Sequence, residues 1–407
     1  MTKVVIIGAG AAGLLCGAKL AQKGYDVTLL EKMNRPARKL MITGKGRCNV
    51  TNATFDLEDL ISYVPTNPRF MYSAFSSFMP YDTMALFEEL GVPLKIERGN
   101  RVFPQSDKAV DIVDALVNYC KNSGAEIVQA TAKAFEMENG LVKSVVLEDK
   151  SKIPCDRVVV ATGGKSYPLT GSTGDGYSLA KSVGHTVTDI KPSLVPLVCS
   201  NNFVPRLQGL SLKNIAVTLF ENDKVIYTDF GEMIFTHYGV SGPVILSASS
   251  HIRKMGKADY KIEIDLKPAL DNQTLDKRLQ KDFAEFSNKD FINSLTKLLP
   301  KKLIPVIVLL SGIEPSAKCN QITKEQRTAL VDILKHFKVN ISAFRPVEDA
   351  IITSGGINVK ELDPKTMKSK IVDNLYFIGE VIDVDAYTGG FNLQIAFSTA
   401  NLCAENM

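Results

Sequence analysis

Gly8-Ala9-Gly10-Ala11-Ala12-Gly13 is the feature that most narrows what this chain can fold into. It follows a short apolar run, Val4 to Ile7, of the kind that forms a fully buried parallel strand. It opens a segment, residues 11 to 23, whose pattern predicts a helix. Strand, glycine turn and helix in that order are the context a dinucleotide-binding fingerprint requires. The first glycine permits the tight turn, the second lets a pyrophosphate approach the backbone, and the third lets helix and strand pack closely. The helix N-terminus then offers N–H groups and a favourable dipole to the phosphates. Gly17 and Gly24 continue the small-residue spacing. Glu31 ends the next strand, Val27 to Leu30, where a carboxylate can accept from ribose hydroxyls.

The turn by itself does not separate NAD from FAD. Two later segments favour FAD. Val158 to Val160 reads as a buried strand that stops at Ala161-Thr162-Gly163-Gly164, as where a flavoprotein chain returns past its cofactor. Leu375 to Ile378 reads as another, running into Gly379-Glu380-Val381-Ile382-Asp383. There Glu380 or Asp383 is placed to hold the ribityl or pyrophosphate region, directly or through water. Gly389-Gly390-Phe391-Asn392-Leu393-Gln394 then opens the last helix. Backbone N–H groups at such a start can stabilise negative charge on a reduced isoalloxazine, or the glycines can be a simple N-cap.

Between these segments the texture changes. From about Lys191, stretches such as Ala216 to Phe220 and Tyr260 to Leu266 alternate apolar and polar residues, as antiparallel strands with one wet face do. Residues 273 to 340 are Lys-rich with apolar residues at helical spacing, which predicts a helical subdomain. The expected division is a first part of the nucleotide-binding domain over 1–190, an inserted substrate domain over 191–345, and the returning part over 346–407. A length of 407 residues suits two or three domains rather than one core.

Composition excludes several classes. The seven cysteines form no C-x-x-C pair, which argues against a zinc site, an iron–sulfur cluster or a dithiol flavin reductase. Their odd, scattered count fits a reducing cytoplasm, and a chain that enters its first strand at residue 4 leaves no room for a cleaved signal. Lys plus Arg number 48 against 44 Asp plus Glu, a net charge of +4, which gives only slight support to nucleic-acid binding. The strongest apolar run, Leu303 to Leu310, is too short to span a bilayer. The reading is therefore of a cytoplasmic protein with no metal and no membrane partner.

Met41-Ile-Thr-Gly44-Lys45-Gly46-Arg47-Cys48-Asn49-Val50-Thr51-Asn52 resembles the G-x-G-R-C-N-x-T-N signature of the BaiN/YhiN-like flavoproteins, a family also labelled NAD(P)/FAD-dependent or aminoacetone-oxidase-like. Further blocks similar to that family are Thr170 to Gly176, Phe235 to Pro243, Thr353 to Gly356 and Gly379 to Gln394, so the resemblance runs the length of the chain. It implies an α/β fold, a glutathione-reductase-type Rossmann FAD-binding domain carrying an inserted β-barrel plus helical subdomain. Lys45 departs from the small residue associated with its position. Facing the flavin, it would raise the reduction potential; facing outward, it would do nothing.

The expected cofactor-binding set is Gly8, Gly10, Ala11, Ala12, Gly13, Glu31, Lys32, Lys39, Arg47, Cys48, Asn49, Thr162, Gly163, Gly379, Glu380, Asp383, Gly390, Asn392 and Leu393. Within it, Arg47 can pair with a pyrophosphate oxygen. Cys48 reads either as a redox or covalent-flavin residue or as a small packed hydrophobe, and the lack of a partner cysteine nearby favours packing. The expected catalytic candidates are Tyr387, Tyr167 and His237, a structural role for His237 standing beside the acid–base one; the sequence does not rank the tyrosines as proton donors.

The first functional expectation is a reductase: NAD(P)H reduces FAD, and the hydride passes to an electron-poor C=C bond of an unsaturated 3-oxo steroid or bile-acid-like small molecule, the substrate that the family resemblance implies. A uridine-to-dihydrouridine reductase acting on ribosomal RNA, also implied by the resemblance, is the less favoured alternative. An amine oxidase using O2 and a non-enzymatic flavin-binding redox sensor complete the set. No second good G-x-G-x-x-G marks a dedicated nicotinamide domain, so NAD(P)H is expected to bind transiently.

Overall fold

The computed structural model describes all residues, Met1–Met407, as two compact units, one of Met1–Ser193 with Pro346–Met407 and one of Leu194–Arg345.

The first unit is built on a five-stranded parallel sheet. Its order is Leu375–Phe377, Arg157–Val160, Lys3–Ile7, Asp26–Glu31 and Glu126–Gln129. The inner strands are continuous β-branched or leucine runs because both faces are covered, and Val4 to Ile6, Leu29 and Val158 to Val160 are all buried. The glycine turn joins the central strand to the helix Ala11–Gln22. That helix packs against the C-terminal helix Phe391–Glu405, twelve of whose fifteen residues are buried. Two small antiparallel sheets complete the unit. One comprises Ala132–Glu138, Leu141–Leu147 and Lys152–Pro154; the other comprises Thr51–Asn52, Arg101–Pro104 and Leu94–Glu97. Lys191–Ser193 pairs antiparallel with Ile352–Ser354, within the same unit.

The second unit is a closed six-stranded barrel carrying helices Asn272–Glu285, Ile304–Ser311 and Lys324–Lys335. The helical expectation for residues 273 to 340 runs too far. Phe337–Phe344 is a barrel strand, with Phe337, Val339 and Ile341 buried and the intervening residues exposed. That period-2 alternation outweighs the lysines that gave the segment a helical look. No helix of the chain is long and apolar enough to cross a membrane, and no group of His, Cys, Asp and Glu could hold a metal ion.

Candidate functional site

The glycine turn is shaped by close approach. Gly8 has φ +104, and a Cβ there would lie 2.6 Å from the carbonyl oxygen of Ala161, so this strand end and the next touch through backbone. A Cβ on Gly13 would lie 2.0 Å from the Gly8 carbonyl oxygen. Gly10 differs: its backbone is extended, and a Cβ would meet nothing within 4 Å. The helix has no side-chain N-cap, and its first bond runs from Leu14 N–H to the Gly10 carbonyl. The N–H groups of Ala11, Ala12 and Gly13 therefore lie ahead of the helical ladder, beside open space, as a pyrophosphate requires.

Glu31 faces this turn. Its Oε2 accepts from the Ala9 N–H at 3.1 Å and its Oε1 from the Met33 N–H at 2.8 Å. Burial raises its pKa, against the pull of those two N–H donors. Each oxygen keeps a lone pair for a hydroxyl donor. Lys32 is committed elsewhere, to Asp175 Oδ2 at 2.5 Å and to the Thr173 hydroxyl.

A second cluster closes around Glu380, whose carboxylate is held on both sides. Oε2 takes Lys39 Nζ at 2.7 Å, and Oε1 takes the Thr353 N–H at 3.0 Å. Lys39 also donates to Ser166 Oγ at 2.7 Å, and Thr353 Oγ1 accepts from the N–H groups of Lys165 and Ser166. A Cβ on Gly164 would fall 2.6 Å from Thr353 Oγ1 and 2.8 Å from Glu380 Oε1, which explains why Thr162 and Gly163 are followed by a second glycine. Gly379 donates its N–H to Thr399 Oγ1, and the Asp383 carbonyl accepts from Asn67.

The third cluster sets the start of the C-terminal helix. A Cβ on Gly390, at φ +105, would lie 2.3 Å from the Thr51 carbonyl carbon and oxygen, so the turn rests directly on that strand. Asn52 Nδ2 donates to the Gly389 carbonyl at 3.0 Å. Buried Gln394 accepts from the Thr51 and Thr83 hydroxyls and donates to the Phe78 carbonyl and Ser398 Oγ. The Asn392 side chain is engaged by the backbone of Ala386 and Tyr387, which leaves only its N–H for a ligand, as for its partly buried neighbour Leu393. This helix also lacks a side-chain N-cap.

In the signature loop, Arg47 lies 4.1 Å over the Phe103 ring and is ion-paired with Glu97 and Asp107, so its guanidinium is not directed at an open cradle. Cys48 is fully buried at φ +59, and burial pushes its thiol up to about 12, the state of a packed hydrophobe rather than a nucleophile. Lys45 is exposed. Asn49 Oδ1, and Tyr177 Oη further along the chain, are buried without a hydrogen-bond partner; an orphaned acceptor in the middle of the loop fits a ligand that brings its own donor.

The three catalytic candidates stand on separate segments. Tyr387 meets Tyr63 edge to face at 6.4 Å. Tyr167 has φ +53 and is half-buried, its phenol raised by burial and by Asp349. His237 belongs to the second unit, exposed and edge-on to Tyr238 at 4.8 Å. Ser166, Thr353, Thr51 and Gln394 were not singled out by sequence reasoning. Thr51, Thr353 and Gln394 lie inside the signature blocks, but the pairings Thr51–Gln394 and Thr353–Ser166 span 343 and 187 residues of chain.

Residues 2–406 match the family described as HI0933-like protein Rossmann domain. A 3-dehydro-bile acid delta(4,6)-reductase of Clostridium scindens is 31% identical over 415 residues, covering 99% of this chain and 98% of that protein. A ribosomal RNA dihydrouridine synthase of Haemophilus influenzae is 32% identical over 405 residues, covering 98% and 97%. Among solved structures, the 3-ketosteroid delta1-dehydrogenase of Sterolibacterium denitrificans aligns with a TM-score of 0.53 at 11% identity, covering 100% of this chain and 99% of that one; the likeness is one of fold.

Proposed function

The chain belongs to the HI0933-like Rossmann family of FAD-dependent oxidoreductases, and on that premise we propose that it reduces a carbon–carbon double bond conjugated to a carbonyl. One observation carries the reaction class. Two full-length relatives are named for a 3-dehydro-bile acid and for ribosomal RNA, and the chemistry those names share is hydrogenation of such a bond. Bound FAD supplies the hydride, and NAD(P)H is the proposed transient donor that replenishes it. In this reading Gly10 with the N–H groups of Ala11, Ala12 and Gly13 holds the pyrophosphate, and Glu31 holds the adenosine ribose. Asn49 and the capless start at Gly390 take the far end. Lys39, Glu380 and Thr353 fix the loops between them. Tyr387, in the loop leading into Gly389 and Gly390, donates the proton that completes reduction.

The choice between substrates rests on charge. Residues 194–345 carry 21 Lys and Arg against 15 Asp and Glu, whereas the rest of the chain carries 27 against 29. A net +6 gathered in one unit of a nearly neutral protein suits a polyanion better than a steroid, so uridine in RNA becomes the favoured substrate class and a steroid enone the second. The test is anaerobic. The flavin of the purified holoenzyme should bleach with NADH or NADPH and recover its colour on adding unmodified ribosomal RNA, with dihydrouridine found by mass spectrometry. Recovery with 4-androstene-3,17-dione alone selects the steroid reading. Bleaching by neither nucleotide refutes the donor.

A further inference from the structure

The chain leaves four large aromatic side chains exposed, and three of them, Phe55, Tyr63 and Tyr81, fall between residues 55 and 81 of the first unit. Tyr63 is the most closely tied to the site. Its ring lies on Phe391, the first residue of the C-terminal helix, with centroids 4.2 Å apart and planes 12° from parallel, yet Tyr63 remains 38% exposed. The Tyr387 N–H donates to the Tyr63 carbonyl at 3.0 Å, and Asn67 Nδ2 donates to the Asp383 carbonyl at 2.6 Å. These bonds fasten the segment 63–67 over the loop that leads into Gly389 and Gly390.

Two arginines adjoin the same glycines. Asn52 Nδ2 donates to the carbonyls of both Gly389 and Gly99, and the Ala53 N–H donates to the Asn100 carbonyl at 2.7 Å. The turn 98–101 therefore lies against the start of the C-terminal helix. Arg98 is exposed and Arg101 half-buried; Arg101 Nε donates to the Arg98 carbonyl, and neither guanidinium forms an ion pair. Acids lie near as well: Asp56 caps the helix Leu57–Ser62, Glu58 accepts from the Tyr72 hydroxyl, and Asp59 follows. Charge alone would hold a polyanion poorly here, so ring stacking has to carry part of the contact.

We propose that Tyr63, together with Arg98 and Arg101 of the turn bonded to Gly389, is a contact surface for a single-stranded RNA segment, one base lying on the phenol and neighbouring phosphates against the two guanidiniums; this rests on the RNA reading given above. A base presented to an enzyme must first leave its own stack, and an exposed aromatic ring beside the site returns part of that loss. Arginine supplies the phosphate contact without regard to sequence.

The experiment titrates the FAD-loaded protein into a fluorescein-labelled, uridine-rich single-stranded RNA and reads anisotropy at several salt concentrations. Y63L should weaken binding about tenfold or more, and Y63F should stay within about twofold, because the ring rather than the hydroxyl does the stacking. The double variant R98A/R101A should flatten the plot of log affinity against log salt by about 1.4, the share of two single-strand phosphates. Flavin content checks that each variant is folded, and the arginine pair keeps the test open if Y63L is not. Wild-type affinity in Y63L, or an unchanged salt slope in the arginine variant, overturns the surface while leaving RNA reduction standing. A wild type that does not bind the RNA, yet reduces the steroid enone, overturns the RNA reading and the surface with it.

Discussion

Gly10→Ala separates cofactor approach from folding, which substitutions at the flanking glycines cannot do. The Gly10 backbone is extended, and an added Cβ meets no protein atom within 4 Å. The free chain should accept the methyl with little change. Alanine is a poorer N-cap than glycine, by about 0.5–1 kcal/mol, but stiffens the unfolded chain by about 0.4–1 kcal/mol, so the net effect is within about 1 kcal/mol. Gly13→Ala is the contrasting case. Its Cβ would lie 2.0 Å from the Gly8 carbonyl oxygen and must push the helix off the strand, at a cost of about 3 kcal/mol even without cofactor.

The difference between the two appears when FAD is added. At a free concentration a hundred times the wild-type Kd, bound cofactor stabilises the fold by about 2.7 kcal/mol. If the alanine methyl occupies the approach of the pyrophosphate and weakens binding about a hundredfold, the same concentration stabilises Gly10→Ala by only about 0.4 kcal/mol. The expected signature is a urea transition of the first unit that matches wild type without FAD and falls short by about 2.3 kcal/mol with it, alongside a flavin-fluorescence titration giving the two Kd values. Wild-type FAD affinity in Gly10→Ala would refute the assignment, because the pyrophosphate would then not approach at that turn.

Other consequences follow from single side chains. His185 is buried between Glu361 Oε2, 3.0 Å from Nδ1, and Ser369 Oγ, 2.8 Å from Nε2, and burial lowers its pKa. The unfolded chain therefore binds a proton that the folded one resists, so stability present above about pH 6.5 should decline as pH falls below it; H185Q should flatten that part of the urea-midpoint profile. C48A should keep its flavin and turnover and cost about 1 kcal/mol of stability, and the wild type should release its flavin unmodified on acid precipitation; flavin retained on the wild-type polypeptide would restore a covalent role for Cys48. R47A should leave the FAD Kd within about threefold, since Glu97 and Asp107 already take the guanidinium, and a loss of a hundredfold would place Arg47 on the phosphates after all.

What the sequence disclosed depended on how local the cause was. The parallel strands, the glycine turn and Glu31 are legible because each is fixed by its neighbours in the chain: an apolar run, a close turn, an acid at a strand end. The strand Phe337–Phe344 was hidden because its alternation begins one residue after a lysine-rich helix, and lysine reports only on exposure. Arg47 was assigned to a phosphate on residue type alone. Its ion-pair partners Glu97 and Asp107 come from the neighbourhood of an antiparallel sheet that places them beside it, and no local pattern announces that pairing.

The same limit applies to Glu380, and there it changes the chemistry expected of the residue. An acid after a C-terminal strand reads as a ligand for ribityl or phosphate. In the fold its two oxygens are taken by Lys39, 341 residues earlier, and by the Thr353 N–H, while Ser166 and Thr353 join the remaining loop to the same group. Both carboxylate and ammonium are about four-fifths buried, so each needs the other: removing either leaves a charge largely withdrawn from water. A carboxylate so engaged ties three loops together. In the reading proposed above, contact with the cofactor falls to backbone N–H groups and to Asn49, the one member of the signature loop whose buried oxygen is still without a donor.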